Sequence, residues 1–545
     1  MIFLSTLLLS VFITIALIPI CSRVAVRLNA LDVPDARKVH AVPIPRCGGV
    51  AMALGAIGPI FFWAQMSPQL SAYLAGAAIL FATGMYDDFK GLGYQAKLMA
   101  QVAAALVLVL YGGIVISEVG NLLPGDMNFP GWLAAIVTVF VVVGVTNAIN
   151  LADGLDGLAG GISLLIFLFI SFLAYSVENM IVAIIALSLS GTLFGFLRFN
   201  THPASLFMGD TGSMILGYSA AALTIMLTQG HSPLSPVLPL IVLGFPILDT
   251  LAVMAERISE GRSPFSADKN HFHHRLLRLG LYQTEAVFAI YVIQALLIVF
   301  AWLFRFYSEW FLLLSYALFA VLVVGFFTIA DRTGWTLKRF DIIDRGIKGH
   351  LRKLRGKWLA IRISFRAVYF GLPALLVFLA LLPAAIPSYF SILSAFLAAV
   401  LALVWLLRKE WLGTVFMLCL YVFIPLLVYS GEVGAAEWVP PRVVKLHYLL
   451  YVVLAFFSVT THMFTRRKKG FRITPMDFIV VVLALAVAVL PREIVPEEAV
   501  KKVIPMIITL FFGYEVLTGE LRGELRVLTG VTIITFLIVS IRGLL

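Results

Sequence analysis

The chain has 545 residues, of which 61% are hydrophobic and only 13% charged, and its mean hydropathy is +1.01. A soluble protein of that composition lacks the polar surface to cover its apolar mass, and the apolar residues run continuously rather than alternating, so a water-soluble globule and a transmembrane β-barrel are both excluded. The net charge of +11 is accounted for by the positive-inside rule, without a nucleic-acid partner.

At ~20 residues per spanning helix, the apolar runs predict an all-α polytopic integral membrane protein of about 17 or 18 transmembrane helices. The runs lie near 2–21, 48–66, 70–86, 97–116, 131–151, 158–177, 180–197, 212–229, 236–256, 285–304 and 310–330. After a basic segment they resume near 369–385, 388–407, 411–430, 446–464, 476–490, 503–517 and 527–541. Residues 1–20 carry no basic n-region and no small-residue cleavage site, so they read as a retained first span. With the N-terminus outside, only Arg305, Arg442, Lys445, Arg492, Lys501, Lys502 and Arg542 of the 40 Lys and Arg residues fall off the cytoplasmic side. That bias sets the expected orientation.

Between Asp331 and Arg366 stand eleven basic and three acidic residues. The expected organisation is a membrane domain over 1–330 with about eleven helices, a basic cytoplasmic linker over 331–368, and a second membrane domain over 369–545 with about seven. The linker reads as a topology anchor with affinity for anionic lipid head groups. Cys21, Cys47 and Cys419 are far apart, with neither CxxC nor paired histidines nearby, and read as small apolar core residues.

Under this topology the unusual residues of the first domain gather at one surface. Asp87 and Asp88 end the third span. Asn147, Asn150, Asp153 and Asp156 end the fifth, and Asp210, in Phe207-Met-Gly-Asp210-Thr-Gly-Ser213, opens the eighth. His271, His273, His274 and Arg275 follow the ninth. One carboxylate at a helix end is an ordinary solvated terminus; five at three termini, each beside glycines, repel one another unless a cation or basic groups stand among them. Oxygen ligands without Cys point to a hard cation, Mg²⁺ before Mn²⁺. Mg²⁺ with His and Arg suits a phosphate or pyrophosphate. The Gly-rich turns at 154–161 and 209–212 are expected to offer backbone N–H groups, the second at a helix N-terminus that favours an anion. Neither has a Walker ending, so an NTP-driven motor is not expected.

Five ordered stretches then resemble the polyprenyl-phosphate N-acetylhexosamine-1-phosphate transferases: Pro45-Arg46-Cys-Gly48-Gly49, Asp87-Asp88, Asn147 to Gly157, Phe207 to Ser213, and Asp268-Lys-Asn-His271-Phe-His273-His274-Arg275-Leu-Leu277. The resemblance covers about residues 1–330. It implies transfer of a sugar 1-phosphate from a UDP-N-acetylhexosamine, UDP-GlcNAc before the others, to undecaprenyl phosphate in a bacterial inner membrane, with UMP released on the cytoplasmic side. Such a step would start a lipid-linked cell-envelope glycan. The resemblance further implies that Asp210 binds Mg²⁺ with Asn150 as second oxygen ligand. Leu151, Gly154, Leu155, Asp156 and Phe207 would line the uracil pocket, with Asn147 among the substrate-binding residues. Asp87, Asp88 and Asp153 look like the catalytic carboxylates, and His271, His273, His274 and Arg275 like the sugar and diphosphate contacts. Arg46 and Lys97 would offset the repulsion of two anionic substrates. A homodimer is an expected assembly.

Two rival readings meet the sequence less well. The muramoyl-pentapeptide branch usually shows three consecutive histidines, which are absent. A lipid or solute transporter would place its polar groups near the bilayer midplane, whereas these lie at one surface, and the spans after 369 carry almost no ionisable residue apart from Glu515. Asp249, inside the ninth span, reads equally as a carboxyl bonded within the bundle or as a residue shaping the metal pocket.

Overall fold

The computed structural model describes residues 2–33, 43–123, 128–230, 232–263, 270–337, 358–407, 411–434, 439–464, 498–521 and 524–544. The protein is an all-α, multi-pass membrane protein. Among the described residues ten helices are long and apolar enough to cross a membrane, and shorter apolar helices accompany them. The chain divides near residue 338 into two compact units. The apolar run at 476–490 and most of the basic segment lie outside the described residues.

The first unit holds α1 (Ile2–Arg27), α2 (Gly48–Trp63), α3 (Pro68–Lys90), α4 (Tyr94–Leu110), α5 (Gly131–Ala152), α6 (Leu158–Ser176), α7 (Met180–Asn200) and α8 (Gly209–Thr228). It continues with α9 (Leu238–Val242), α10 (Gly244–Ser259), the short α11 (Phe272–Arg278), α12 (Gln283–Leu303) and α13 (Glu309–Thr333). The ninth expected span is therefore two helices. Pro246 has no N–H to bond Val242, four residues back, and the chain breaks at Leu243, whereas Pro239 sits harmlessly in the first turn of α9. A two-stranded antiparallel pair, β1 (Leu31–Asp32) and β2 (Ile44–Pro45), follows α1.

The centre of this unit is α8, nearly wholly buried although it is the least hydropathic of the spanning helices. Small residues explain the contradiction, because packing between membrane helices rests on close backbone approach rather than on apolarity. A Cβ on Gly217 would stand 2.6 Å from Thr146 Cα of α5, and one on Gly84 of α3 would stand 2.5 Å from Thr211 Cα. Gly76 of α3 meets the Tyr218 ring in the same way, and Tyr218 donates to the Tyr73 carbonyl at 3.2 Å. The termini of α3, α5 and α8 are thereby drawn together at one end of the bundle.

In the second unit, helices Trp358–Leu381, Ser388–Leu407, Leu412–Val433, Pro441–Phe464, Glu498–Leu521 and Arg526–Arg542 enclose an apolar core that includes Phe390, Phe423 and Phe536. This unit is more polar than its sequence suggests. Helix Leu412–Val433 overruns its apolar stretch and buries the Glu432 side chain, His447 is buried within its own stretch, and Tyr448 donates to both Glu432 oxygens at 2.9 Å. All three cysteines are free, and burial pushes the Cys47 thiol up to about 12.

If close backbone contact at α8 holds the first unit, Gly217→Val should cost about 1–3 kcal/mol through overpacking. A thermal melt in detergent should show a lowered midpoint, and Gly144→Ala, which faces open space, should leave it unchanged.

Candidate active site

The site is built from helix ends. Lys97, in the first turn of α4, ion-pairs with Asp87 at 2.7 Å and more closely with Asp210 at the start of α8. Without that ammonium two carboxylates this near each other could not both stay ionised. Asn150, in the last turn of α5, donates through Nδ2 to Asp210 Oδ1 at 3.1 Å and to Ser213 Oγ at 2.8 Å. The carbonyls of Phe207 and Met208 accept from the amides of Gly48 and Gly49 at 2.9 and 2.8 Å, and Arg46 is bridged to Phe207 through the backbone. Gly49 lies so near Gly212 that no Cβ would fit. Four stretches distant in sequence thus meet at one place: Pro45–Gly49, Asp87-Asp88, the end of α5 and the start of α8.

Asp88, next to Asp87, is differently employed. One of its oxygens accepts from Asp210 N at 2.8 Å, and the other from Thr211 N at 3.1 Å and Thr211 Oγ1 at 2.6 Å. It caps α8 from another helix. The expectation that the 209–212 turn presents free N–H groups to an anion is accordingly corrected: this buried carboxylate already occupies the helix N-terminus. In the turn at 154–161 one amide is likewise taken: Gly157, at φ +80°, donates its N–H to Asn200 Oδ1 at 2.9 Å. Gly160 and Gly161 serve close packing, Gly161 making room for the Tyr291 ring.

Asp153 is the C-cap of α5 and is half-buried. Burial first, then the charges of Asp210, Asp88 and Asp156, push its carboxyl up to about 7, with Arg46 opposing. Asp156 accepts from His202 Nδ1 at 2.7 Å and from Ala204 N at 3.1 Å. Leu155 is buried, Leu151 is exposed on α5, and Phe207 is half-buried. Asn147 exchanges hydrogen bonds with Gln101 of α4 at 2.7 and 3.4 Å. Arg46 pairs with Asp32 of β1.

The histidine segment forms α11 and its N-cap. The His271 and His273 rings stack at 5.8 Å and 9°, and His274 lies 4.2 Å from His273. His273 sits against Gly154, where a Cβ would collide with its Nε2. Burial, then His274, brings the His273 imidazole down to about 3, so it is neutral. Arg275 is buried. It pairs with Glu256 and, at 3.3 Å, with Asp331, and its Nε donates to the Asn270 carbonyl at 2.8 Å. The structure therefore gives Arg275 protein partners rather than an open face. Asp268 lies outside the described residues.

Sequence reasoning missed Ser213, His202, Gln101, Asn200, Glu256 and Asp331 as partners of the site. Only Ser213 stood inside a quoted motif; the rest are single polar residues on other elements. Among the described residues no three of His, Cys, Asp and Glu close a metal cage. The side chains near Asp210 that could ligate are oxygen ligands, the carboxylate of Asp87 and the amide of Asn150, and the charges of Asp210, Asp88 and Asp156 add to burial in raising Asp153. That set fits a hard cation that keeps water and takes its remaining ligands from a phosphate.

Residues 70–228 match the family model described as glycosyl transferase family 4. A Bacillus subtilis (strain 168) protein described as a probable undecaprenyl-phosphate N-acetylglucosaminyl 1-phosphate transferase is 36% identical over 325 residues, 59% of this chain and 89% of the relative. The Escherichia coli (strain K12) undecaprenyl-phosphate alpha-N-acetylglucosaminyl 1-phosphate transferase is 30% identical over 361 residues, 65% and 96% of the two chains. The Mycobacterium tuberculosis (strain ATCC 25618 / H37Rv) decaprenyl-phosphate N-acetylglucosaminephosphotransferase is 35% identical over 300 residues, 49% and 74%. The chain belongs to the polyprenyl-phosphate N-acetylhexosamine-1-phosphate transferase family. As a transferase of this family it carries, in addition, at least a third of a chain that these matches do not cover.

Two outcomes test this geometry. Asp88→Ala in the transferase leaves the Asp210 and Thr211 amides unsatisfied, at about 1–3 kcal/mol, so its melting point should fall, while Asp88→Asn keeps part of the cap and falls less. For Asp153 the folded carboxyl titrates near 7 against an ordinary value of 3.8. Its contribution to stability is therefore fully present below about pH 4 and lost as pH rises through 7. Melts in EDTA should decline over that window, and Asp153→Asn should flatten the decline.

Proposed function

We propose that the protein transfers GlcNAc 1-phosphate from UDP-GlcNAc to undecaprenyl phosphate, releasing UMP, with Mg²⁺ at the cytoplasmic face of a bacterial inner membrane. The observation that carries this reading is the meeting of Asp87, Asp210 and Lys97, with Asn150 and Asp153 beside them, at one end of a membrane bundle. The names of the relatives, which specify an undecaprenyl or decaprenyl phosphate and GlcNAc phosphate, support the substrates.

The reaction joins two anions. A carrier phosphate oxygen attacks the sugar-bearing β-phosphorus, and the bond from that phosphorus to the bridging oxygen breaks, with UMP leaving on the electron pair. A phosphate monoester has its second pKa near ~6, so the nucleophile is already ionised and there is little proton for Asp87 to remove. The protein's work is to neutralise and position charge. Lys97 is a cation already set between two carboxylates, and it can turn to a phosphate when a metal takes its place beside Asp210. Asp210 would hold Mg²⁺, with Asn150 turning its amide oxygen inward; the bound ion would stabilise the charge on the departing UMP. Asp153, poised near neutrality, would ionise as that cation arrives. The histidine stack over Gly154 would face the sugar diphosphate, and Asp156, Leu155 and Phe207 the uracil.

Membranes holding the protein, given labelled UDP-GlcNAc and undecaprenyl phosphate, should release UMP and yield a chloroform-soluble labelled product. EDTA should abolish the product, and Mg²⁺ should restore it. Asp210→Asn and Lys97→Met should each lower kcat by about 10²–10³-fold, as loss of one charge-stabilising group does. Full activity in EDTA would overturn the metal assignment, and transfer of a different sugar phosphate in preference to GlcNAc 1-phosphate would overturn the donor.

A further inference from the structure

Asp249 lies in α10, away from the carboxylates that meet at α8, and none of the five motifs includes it. Both of its oxygens are committed. Oδ2 lies 2.8 Å from His271 Nδ1, and Oδ1 accepts from the Phe272 amide at 2.6 Å. The two side chains are 5% and 7% exposed, so water does not compete for this bond. Seven residues along α10, two turns on the same face, Glu256 holds Arg275, which is one turn beyond His271. The histidine segment is thus latched to α10 at two points. The Arg275 latch is an ion pair, and the Asp249 latch is directed at one nitrogen of one imidazole.

A neutral imidazole has one N–H and one lone pair, and a carboxylate, which only accepts, forces the proton onto the nitrogen it faces. Facing Asp249 in this way, a neutral His271 ring carries its hydrogen on Nδ1 and leaves Nε2 uncommitted to that carboxylate. The bond also fixes the plane of the ring, against which His273 stacks nearly parallel. His273 Nε2 is buried with no hydrogen-bond partner among the described residues, and its ring lies on Gly154 of the loop that follows α5. An orphaned buried ring nitrogen at that place is what a ligand's polar group would satisfy.

We infer that Asp249 is a positioning residue of the transferase, holding His271 in the Nδ1–H tautomer and, through the ring stack, fixing His273 over the donor's sugar diphosphate. The inference rests on the reading of the reaction given above, and the pairing itself can be tested without it. Asp249 touches no reacting atom. Its amide counterpart would keep the shape and the Phe272 bond yet would let the other tautomer form, and an Asp-to-Asn change beside a catalytic histidine acts by that route in serine proteases.

The test uses the full chain in nanodiscs, with ¹⁵N-labelled histidine. In the wild type the histidines that face carboxylates through Nδ1, His271 and His202, should show the Nδ1–H tautomer pattern, and the His271 signal is assigned by its loss in His271→Gln. In Asp249→Asn that signal should shift toward Nε2–H. In the transfer assay Asp249→Asn should lower kcat about 10- to 100-fold, as loss of a histidine's carboxylate partner does at metal sites, with a smaller change in KM for UDP-GlcNAc. Asp249→Glu should recover part of the loss. The double variant Asp249→Asn/His271→Gln should be no slower than His271→Gln alone. Multiplying defects in the double variant, or an unchanged His271 tautomer in Asp249→Asn, would overturn the inference. If the wild type gives no transfer product, the reading of the reaction fails, whereas the ¹⁵N spectra still decide the pairing.

Discussion

Carboxylates at the ends of apolar helices are costly unless each is given a partner, and the first unit is organised around supplying those partners. Lys97 stands between Asp87 and Asp210, the α8 N-terminus receives Asp88, His202 receives Asp156, and His271 receives Asp249. Burial raises the Asp88 carboxyl to about 6, and burial together with the charges of Asp210, Asp88 and Asp156 raises that of Asp153 to about 7. In the proposed reaction a divalent cation would relieve the crowding of these carboxylates and draw phosphates toward them.

The charge arrangement depends in turn on how closely the helices pack. Gly49, Gly84 and Gly217 allow α2, α3 and α5 to approach α8 where any Cβ would intervene. Close packing brings the Asp88 carboxylate within reach of the Asp210 and Thr211 amides, and that cap fixes where Asp210 begins. Structure and chemistry share residues here. The two adjacent aspartates of Asp87-Asp88 divide the work, one ion-paired to Lys97 at the reacting end and the other holding the helix that carries Asp210.

Much of this was legible in the sequence. The apolar runs of the described residues returned as helices because continuous apolarity over a span's length leaves the backbone no other way to satisfy its hydrogen bonds. The ninth run was the exception, since hydropathy does not register that Pro246 removes the donor that would bond Val242. Motif spacing marked Asp87, Asn150, Asp153 and Asp210 because they recur at helix ends beside glycines. It did not distinguish Asp88 from Asp87, and it read packing glycines such as Gly161 as anion-binding ones. Partners such as His202, Gln101 and Asp331 lie alone on other elements, and only the fold brings them in. Asp249 was visible as an anomaly, a carboxylate inside a span, but its partner was 22 residues away across an intervening loop.

Lys97 joins Asp87 and Asp210 into one charge unit. A double-mutant cycle on kcat/KM for the transfer reaction, with Asp87→Asn, Asp210→Asn and both together, measures this directly. Coupled carboxylates should give a double variant much faster than the product of the single defects, with an interaction of about 1–3 kcal/mol. Defects that simply multiply would show that the two carboxylates act separately, and would contradict the account.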